Sequence, residues 1–370
     1  MWVRSGLVLL TASGTLGCTG EGASPAGGVD AGADGSSADA SLGPPFAVTA
    51  FDRARIGSDP SGPNFQRAAA AVDLGAGPFE RVTLTVQLDT TCYPFESWQA
   101  NPPPAGQNWP ADCDAFDRNF EIVLDEPADG APGPPGIELE RAITPFGGPM
   151  TLTIDVTDVA NAKPGVRELA VRIPTWSDGA GQVSGSNGGW FVSASFDVVP
   201  GGAPRSVLAV VPLFYGSQTT HEGVGPLAFE LPAGTTSARI DYRATGHGGV
   251  LGGSGCVGPA EEFCVRNHSL FVDDVLAADF AAWRDDCDEL CTLTHQGPVG
   301  GGFDYCLENP CGAIQSVRAS RANWCPGSVT PPAGVTVPAA SGSRTFRWSL
   351  SDFAQGGSWR VSAVLVAYGG

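Results

Sequence analysis

Lysine is almost absent from this chain. Lys163 is the only one, and arginine carries nearly all the positive charge. Against 20 Lys+Arg stand 39 Asp+Glu, a formal net charge of -19. A surface this acidic excludes nucleic acid and anionic membrane surfaces as partners, because both would be repelled. Histidine is scarce too: His221, His247, His268 and His295 are scattered and never adjacent, and there are two methionines. No run of closely spaced imidazoles exists to build a multi-histidine metal centre, so neither a metal nor a cofactor is expected. No stretch after the N-terminal segment approaches the roughly 20 apolar residues of a membrane-spanning helix. Helical periodicity is also rare.

What is present in abundance is glycine (51) and proline (31), and between them runs of period-two alternation. Val82, Leu84, Val86 and Leu88 alternate with Thr83, Thr85 and Gln87. Phe120, Ile122 and Leu124 lie on one side of a run from Asn119, Leu152, Ile154 and Val156 on one side of another, and Leu169, Val171 and Ile173 on one side of a third. Later come Ile240 with Tyr242, then Phe346, Trp348 and Leu350. Short alternating runs separated by Gly/Pro/Asp turns predict an all-β chain of sandwiches or barrels. A short helix is expected near Leu276 to Trp283. At 370 residues the chain has room for two domains. The break is placed at about residue 202, in Pro200-Gly201-Gly202-Ala203-Pro204, between a closing strand (Phe191 to Val199) and an opening one (Val207 to Phe214). The domains are therefore 46–202 and 203–370.

The first 18 residues read as an export signal. Arg4 is a basic start, Leu7 to Leu10 an apolar core, and Thr15-Leu16-Gly17-Cys18 resembles the bacterial lipobox, in which the cysteine is lipidated. Residues 19–45, rich in Gly, Ala, Ser and Asp, read as a flexible tether. The implied location is the cell envelope or outside the cell, with any membrane contact made through lipid on Cys18. Export makes the cysteines disulfide candidates. If Cys18 is lipidated, nine remain, and an odd number leaves one thiol free or paired outside the chain.

Three clusters carry chemistry. Cys113-Asp114-Ala115-Phe116-Asp117-Arg118 packs two carboxylates, a guanidinium and a ring into six residues, with Cys92 upstream available as a brace. Cys256 and Cys264 can close a small loop presenting Glu261 and Glu262. Arg321, three residues before Trp324 and next to Cys325, suits a sugar or carboxylate site. His247, between Gly246 and Gly248, sits where backbone can approach a ligand closely. No Ser/His/Asp or Cys/His arrangement has the spacing of a nucleophilic hydrolase.

In order and spacing these segments resemble the bacterial peptide:N-glycosidase F family, whose members hydrolyse the amide between asparagine and the first N-acetylglucosamine of N-linked glycans. The resemblance runs from Thr49-Ala50-Phe51-Asp52-Arg53 through Cys113–Arg118, Ala142–Phe146, Ile154–Asp158 and Pro174-Thr175-Trp176. It continues through Ala209–Pro212, Gly246-His247, Glu261–Cys264, Asn309-Pro310 and Arg321–Gly327. It implies two tandem eight-stranded jelly-roll sandwiches packed side by side, with the site at their interface and an N-linked glycopeptide as substrate of a monomeric enzyme. Asp117 matches the principal catalytic aspartate, and Glu262, rather than Glu261, the second essential carboxylate. Asp114, Phe116, Arg118, Trp176, His247, Glu261, Arg321 and Trp324 fall at substrate-binding positions. The same matching pairs Cys92 with Cys113, Cys256 with Cys264 and Cys306 with Cys325, and leaves Cys287, Cys291 and Cys311 as extras.

The chain departs from the pattern in two places. Phe116 replaces a tryptophan. Pro174 stands where the family has a third acid, with Asp178 the nearest substitute in sequence. The alternative function is therefore a glycan- or glycopeptide-binding relative that has weakened or lost catalysis. A copper monooxygenase, which shares the paired jelly-roll plan, is excluded by the scattered histidines.

Overall fold

The structure, a computed structural model, describes residues 43–127, 133–250, 254–298 and 301–370. The expected signal, Cys18 and all but the end of the tether lie outside the described residues. No described helix is long and apolar enough to cross a membrane.

The first eight strands are β1 (Phe46–Gly57), β2 (Arg67–Asp73), β3 (Phe79–Asp89), β4 (Asn119–Leu124), β5 (Ile137–Ile143), β6 (Met150–Asp155), β7 (Val166–Arg172) and β8 (Gly189–Pro200). They form two four-stranded antiparallel sheets in the orders β1-β8-β3-β6 and β2-β7-β4-β5. The alternation in the sequence is the alternation of burial: Val82, Leu84, Val86 and Leu88 point into the space between the sheets, with Phe120, Ile122 and Val171 opposite.

The second half contributes β9 (Val207–Gln218), β10 (Val224–Leu231), β11 (Ser237–Gly248), β12 (Asn267–Val272), β13 (Val275–Ala281), β14 (Leu293–Gln296), β15 (Phe303–Cys306), β16 (Ala333–Val337), β17 (Gly342–Leu350) and β18 (Gly357–Tyr368). Without the β14–β15 hairpin, these eight strands form sheets β16-β11-β18-β9 and β10-β17-β12-β13. Renumbered from one to eight, their order repeats that of the first half. Both halves are therefore jelly rolls, as the resemblance implied.

The helix expected at Leu276 to Trp283 is instead the edge strand β13. Asp273 and Asp274 both adopt positive φ (50° and 61°), which turns the chain back on β12 as a hairpin. Eight residues without a cap are too few to offset helix nucleation against that pairing.

The two sandwiches are joined through β4 and β5 on one side and β9 and β18 on the other. Val210, Val364 and Val366 extend the first core across the join. Around them lies a charged network. Arg360 forks onto Glu121 at 2.7 Å to each oxygen, and the Tyr215 hydroxyl donates to the same carboxylate. Fully buried Arg141 forks onto fully buried Glu138 (2.8 and 2.9 Å) and also donates to the Arg360 carbonyl at 2.6 Å. Ser362 completes Glu138. A buried charge left without partners costs several kcal/mol, so these pairs hold the two sandwiches in one register.

Candidate active site

The connection after the third strand of each jelly roll carries a carboxylate, and each of these connections is closed by a disulfide. In the first sandwich it is the β3–β4 connection, braced by Cys92–Cys113 and carrying Asp117. In the second it is the β11–β12 connection, braced by Cys256–Cys264 and carrying Glu262. Topologically equivalent loops of two similar sandwiches thus supply the pair.

Asp117 is held by its neighbours. Thr144 brackets it on both sides: its hydroxyl donates to the Phe116 carbonyl (3.1 Å) and accepts from the Arg118 N–H (2.9 Å), and its own N–H donates to the Arg118 carbonyl (2.8 Å). Asp114 is fully buried and takes two bonds from Arg118 (3.0 and 3.1 Å), one from Ser184 and one from the Phe116 N–H. It orients Arg118, whose remaining reach goes to the Trp176 carbonyl at 3.1 Å. Trp176 and Phe116 are exposed beside it. Replacing Cys92 and Cys113 together by alanine is expected to lower stability by about 3 kcal/mol in the chain-entropy account. A denaturant titration of the double variant measures that cost.

On the opposite side, a single 3-10 turn (Glu261–Phe263) separates the roles of two adjacent glutamates. Glu261 is fully buried. It is gripped by Arg266 (2.9 and 3.0 Å), the Ala354 N–H (2.7 Å) and the Trp359 indole (2.8 Å). Glu262, a quarter exposed, turns toward Arg321.

Arg321 lies between the two carboxylates. Its Nη1 donates to Glu262 Oε1 at 3.1 Å, and its Nη2 stands 3.8 Å from Asp117 Oδ2 while bonding the Ser316 carbonyl and hydroxyl (2.8 and 2.9 Å). The guanidinium is sandwiched by the rings of Trp324 (4.4 Å) and Phe263 (4.8 Å). Its backbone pairs both ways with Arg284. Burial pushes the Asp117 carboxyl up to about 6; Arg321 opposes this and the nearby Glu262 charge adds to it.

Several sequence expectations need correction. Asp114, Glu261 and Trp324 are too buried to touch a substrate, and all are consumed by internal bonds: the Trp324 indole donates to the Gly246 carbonyl at 2.8 Å. His247 is half-buried, bonded to Thr245 Oγ1 and stacked on Trp324. Burial, with Arg141 nearby, holds its pKa down to about 3, so it stays neutral and supports the site from behind. Gly246 beside it is required by space, since a Cβ there would lie 2.8 Å from the Ala322 Cβ and 2.9 Å from the Trp359 ring. The expected Cys306–Cys325 pair is not formed. Cys325 bonds Cys287 and Cys306 bonds Cys291, so the supposed extras are used, and Cys311 is the free thiol among the described residues. The β14–β15 pairing sets Cys306 against Leu293, close to Cys291, which explains the local choice.

Asp178 does not replace the acid missing at Pro174. Its carboxylate caps its own turn, accepting N–H bonds from Ala180, Gly181, Gln182 and Val183, which hold it below its usual range against what little burial it has. Pro174 instead lines a 230 Å³ cavity with Glu121 and Arg360, where the carboxylate is already paired.

Residues 215–366 match the protein family described as Peptide-N-glycosidase F, C terminal. The second half of the chain is similar to the C-terminal domain of peptide-N-glycosidase F. Solved structures extend the likeness to the whole described body. PNGase F, a glycosylasparaginase from Flavobacterium meningosepticum, aligns with a TM-score of 0.60 at 17% identity, covering 88% of this chain and 96% of that one. PNGF-II aligns at 0.64 and 19% identity over 87% of this chain, which spans 65% of PNGF-II's length. A peptide-N(4)-(N-acetyl-β-D-glucosaminyl)asparagine amidase aligns at 0.60 and 18% identity. No curated protein sequence matches. What is shared with these structures is the fold, the pair of β-sandwiches. The four disulfides fit the oxidising compartments outside the cytoplasm.

Sequence reading missed the supporting residues. Ser184, Thr144, Phe263 and Ser316 carry no pattern that marks them. Thr144 and Phe263 do lie inside the segments that carried the resemblance, so a hydroxyl bracketing Asp117 and a ring behind Arg321 were within reach.

Proposed function

We propose that this chain is a peptide:N-glycosidase that hydrolyses the asparagine–N-acetylglucosamine amide of N-linked glycopeptides, at the junction of its two sandwiches. The observation that carries the reading is Arg321 standing between Asp117 and Glu262. Amide hydrolysis needs a base for water and charge control around the carbonyl. Asp117, poised near pH 6, takes a proton from water as the water oxygen adds to the asparagine side-chain carbonyl. The C–N bond then breaks as the proton held by Asp117 passes to the departing nitrogen, giving an aspartate and a 1-amino sugar. Glu262, held in place by the buried Arg321, orients the amide and sugar, and Arg118 fixes Trp176. Phe116 and Trp176 offer ring faces to the substrate. The protein acts as a monomer outside the cytoplasm, anchored by lipid on Cys18, without metal or cofactor.

The test is mass spectrometry on a defined glycopeptide: glycan release must come with conversion of asparagine to aspartate. Binding without conversion favours the second reading, a glycopeptide-binding relative. Pro174, with Asp178 committed to its own turn, is the feature that favours that alternative.

A base with a pKa of about 6 must be ionised to work. The kcat/KM profile is therefore expected to rise with pH through about 6 and flatten above it. An acid limb centred near pH 4, where an ordinary carboxylate titrates, would remove Asp117 from the role.

A further inference from the structure

The long connection that carries Asp117 does more than close on itself. Phe95, Trp98 and Trp109 project from it toward Phe303 and Tyr305 of the β14–β15 hairpin, and together they wall a cavity of about 640 Å³ with Cys311 in its lining. The rings interlock edge to face: Phe95 lies 5.5 Å from Phe303 and 5.4 Å from Tyr305, and Trp98 lies 5.8 Å from Phe95 and 6.0 Å from Trp109. Neither indole N–H turns inward for a ligand. Trp98 donates to the Cys92 carbonyl and Trp109 to the Gln182 carbonyl. What remains facing the cavity is mostly hydrocarbon, with Asn108, Asp304, Tyr305 and the Cys311 thiol as the polar groups of the lining.

This cavity lies next to the proposed active site, with packed residues between the two. The Cys311 N–H bonds the Phe146 carbonyl, and the Phe146 ring lies 6.1 Å from that of Phe116, next to Asp117. The backbone between them is packed tightly. A Cβ at Gly147, which has φ of +65°, would fall 2.5 Å from Cys311 Sγ and 2.8 Å from Cys92 Cβ. Phe146 thus stands between the lining of the cavity and Phe116 of the catalytic loop.

We infer that this cavity is a subsite for the polypeptide part of the substrate, and that it takes a bulky apolar side chain, aromatic by preference, a few residues from the linkage asparagine. The inference rests on the amidase reading for its substrate. A sugar ring needs several hydrogen-bond partners around its hydroxyls, and this lining supplies few. A phenyl or indole ring needs apolar area and edge-to-face neighbours, and this lining supplies both.

The experiment uses glycopeptides with alanine flanks in which a single phenylalanine is walked through about five positions on either side of the asparagine, the reach of an extended chain at about 3.3 Å per residue. At one or two of these positions kcat/KM is expected to rise by about tenfold, mainly through KM. In Trp98→Ala and in Phe303→Ala, which lies half exposed on the separate hairpin, that ratio is expected to fall toward one. A flat profile for the unaltered protein, or a preference that survives in both variants, overturns the subsite. A second readout does not depend on turnover: tryptophan fluorescence is titrated with the best phenylalanine peptide lacking its glycan. If no glycopeptide is cleaved, the amidase reading fails, and this titration alone decides the cavity. Saturable quenching that is lost in Phe303→Ala supports a polypeptide site. Quenching by free N,N′-diacetylchitobiose instead of the peptide overturns it.

Discussion

Asp117→Asn is expected to abolish glycan release and to make the protein more stable. The loss of activity follows from chemistry: an amide cannot accept the proton of the attacking water, and removing a general base costs about 10²–10⁴-fold. A cut of at least about a thousandfold in kcat, with KM little changed, is the expected kinetic result. The gain in stability follows from burial. A carboxyl raised from 3.8 to about 6 in the folded state resists ionisation there more than in the unfolded chain. The corresponding penalty is about 3 kcal/mol once the pH is above both values. The sign can be checked. Between pH 4 and 6 the folded state holds more protons at this carboxyl than the unfolded one, so the wild type loses stability as pH rises through that window. Asparagine does not titrate and escapes the loss. Unfolding curves should therefore show Asp117→Asn more stable than wild type at pH 7 and nearly equal to it at pH 4. A variant that is inactive and less stable at pH 7 would mean that Asp117 is an ordinary structural ion-pair partner.

The fold was legible where burial follows a simple period. In β3, Val82 to Leu88 alternate in sequence and alternate in exposure. Legibility ended where a single residue type has two possible fates. Glu261 and Glu262 are identical as letters, yet a 3-10 turn points one at Arg266 and the other at Arg321. Asp114 and Asp117 diverge in the same way: Ser184, distant in sequence, receives the first. Cysteine pairing failed for a related reason. The resemblance paired Cys306 with Cys325, but the β14–β15 ladder places Cys291 beside Cys306, and Cys325 bonds Cys287. Asp178 looked free to replace an acid because a carboxylate's hydrogen bonds to its own turn leave only a weak trace in sequence.

Arg321→Met tests the centre of the site, and its effect should depend on pH in a way that no simple packing defect would. Methionine fills much of the space between Trp324 and Phe263 but removes the charge between Asp117 and Glu262. Arg321 is the strongest influence holding the Asp117 carboxyl down against burial, so its loss raises that carboxyl above about 6. Two consequences follow. The rising limb of the kcat/KM profile moves to higher pH, and at pH 7 the residual activity is expected to fall by at least about a thousandfold, since both base and substrate orientation are impaired. Stability falls as well. Removing one member of a buried ionic set leaves the others uncompensated and costs about 3–5 kcal/mol. That cost is largest above the raised Asp117 value, where this carboxylate is charged, and shrinks as the pH falls below it and a proton on Asp117 takes the place of the guanidinium. Arg321→Lys separates the two contributions. It restores charge without the planar fork that reaches Glu262, Ser316 and Asp117 together. Lysine should therefore recover much of the stability and little of the activity. A stability deficit in Arg321→Met that is the same at pH 4 and pH 8 would show that the arginine supports the loop by packing alone, and Asp117 and Glu262 would then have no shared electrostatics to exploit.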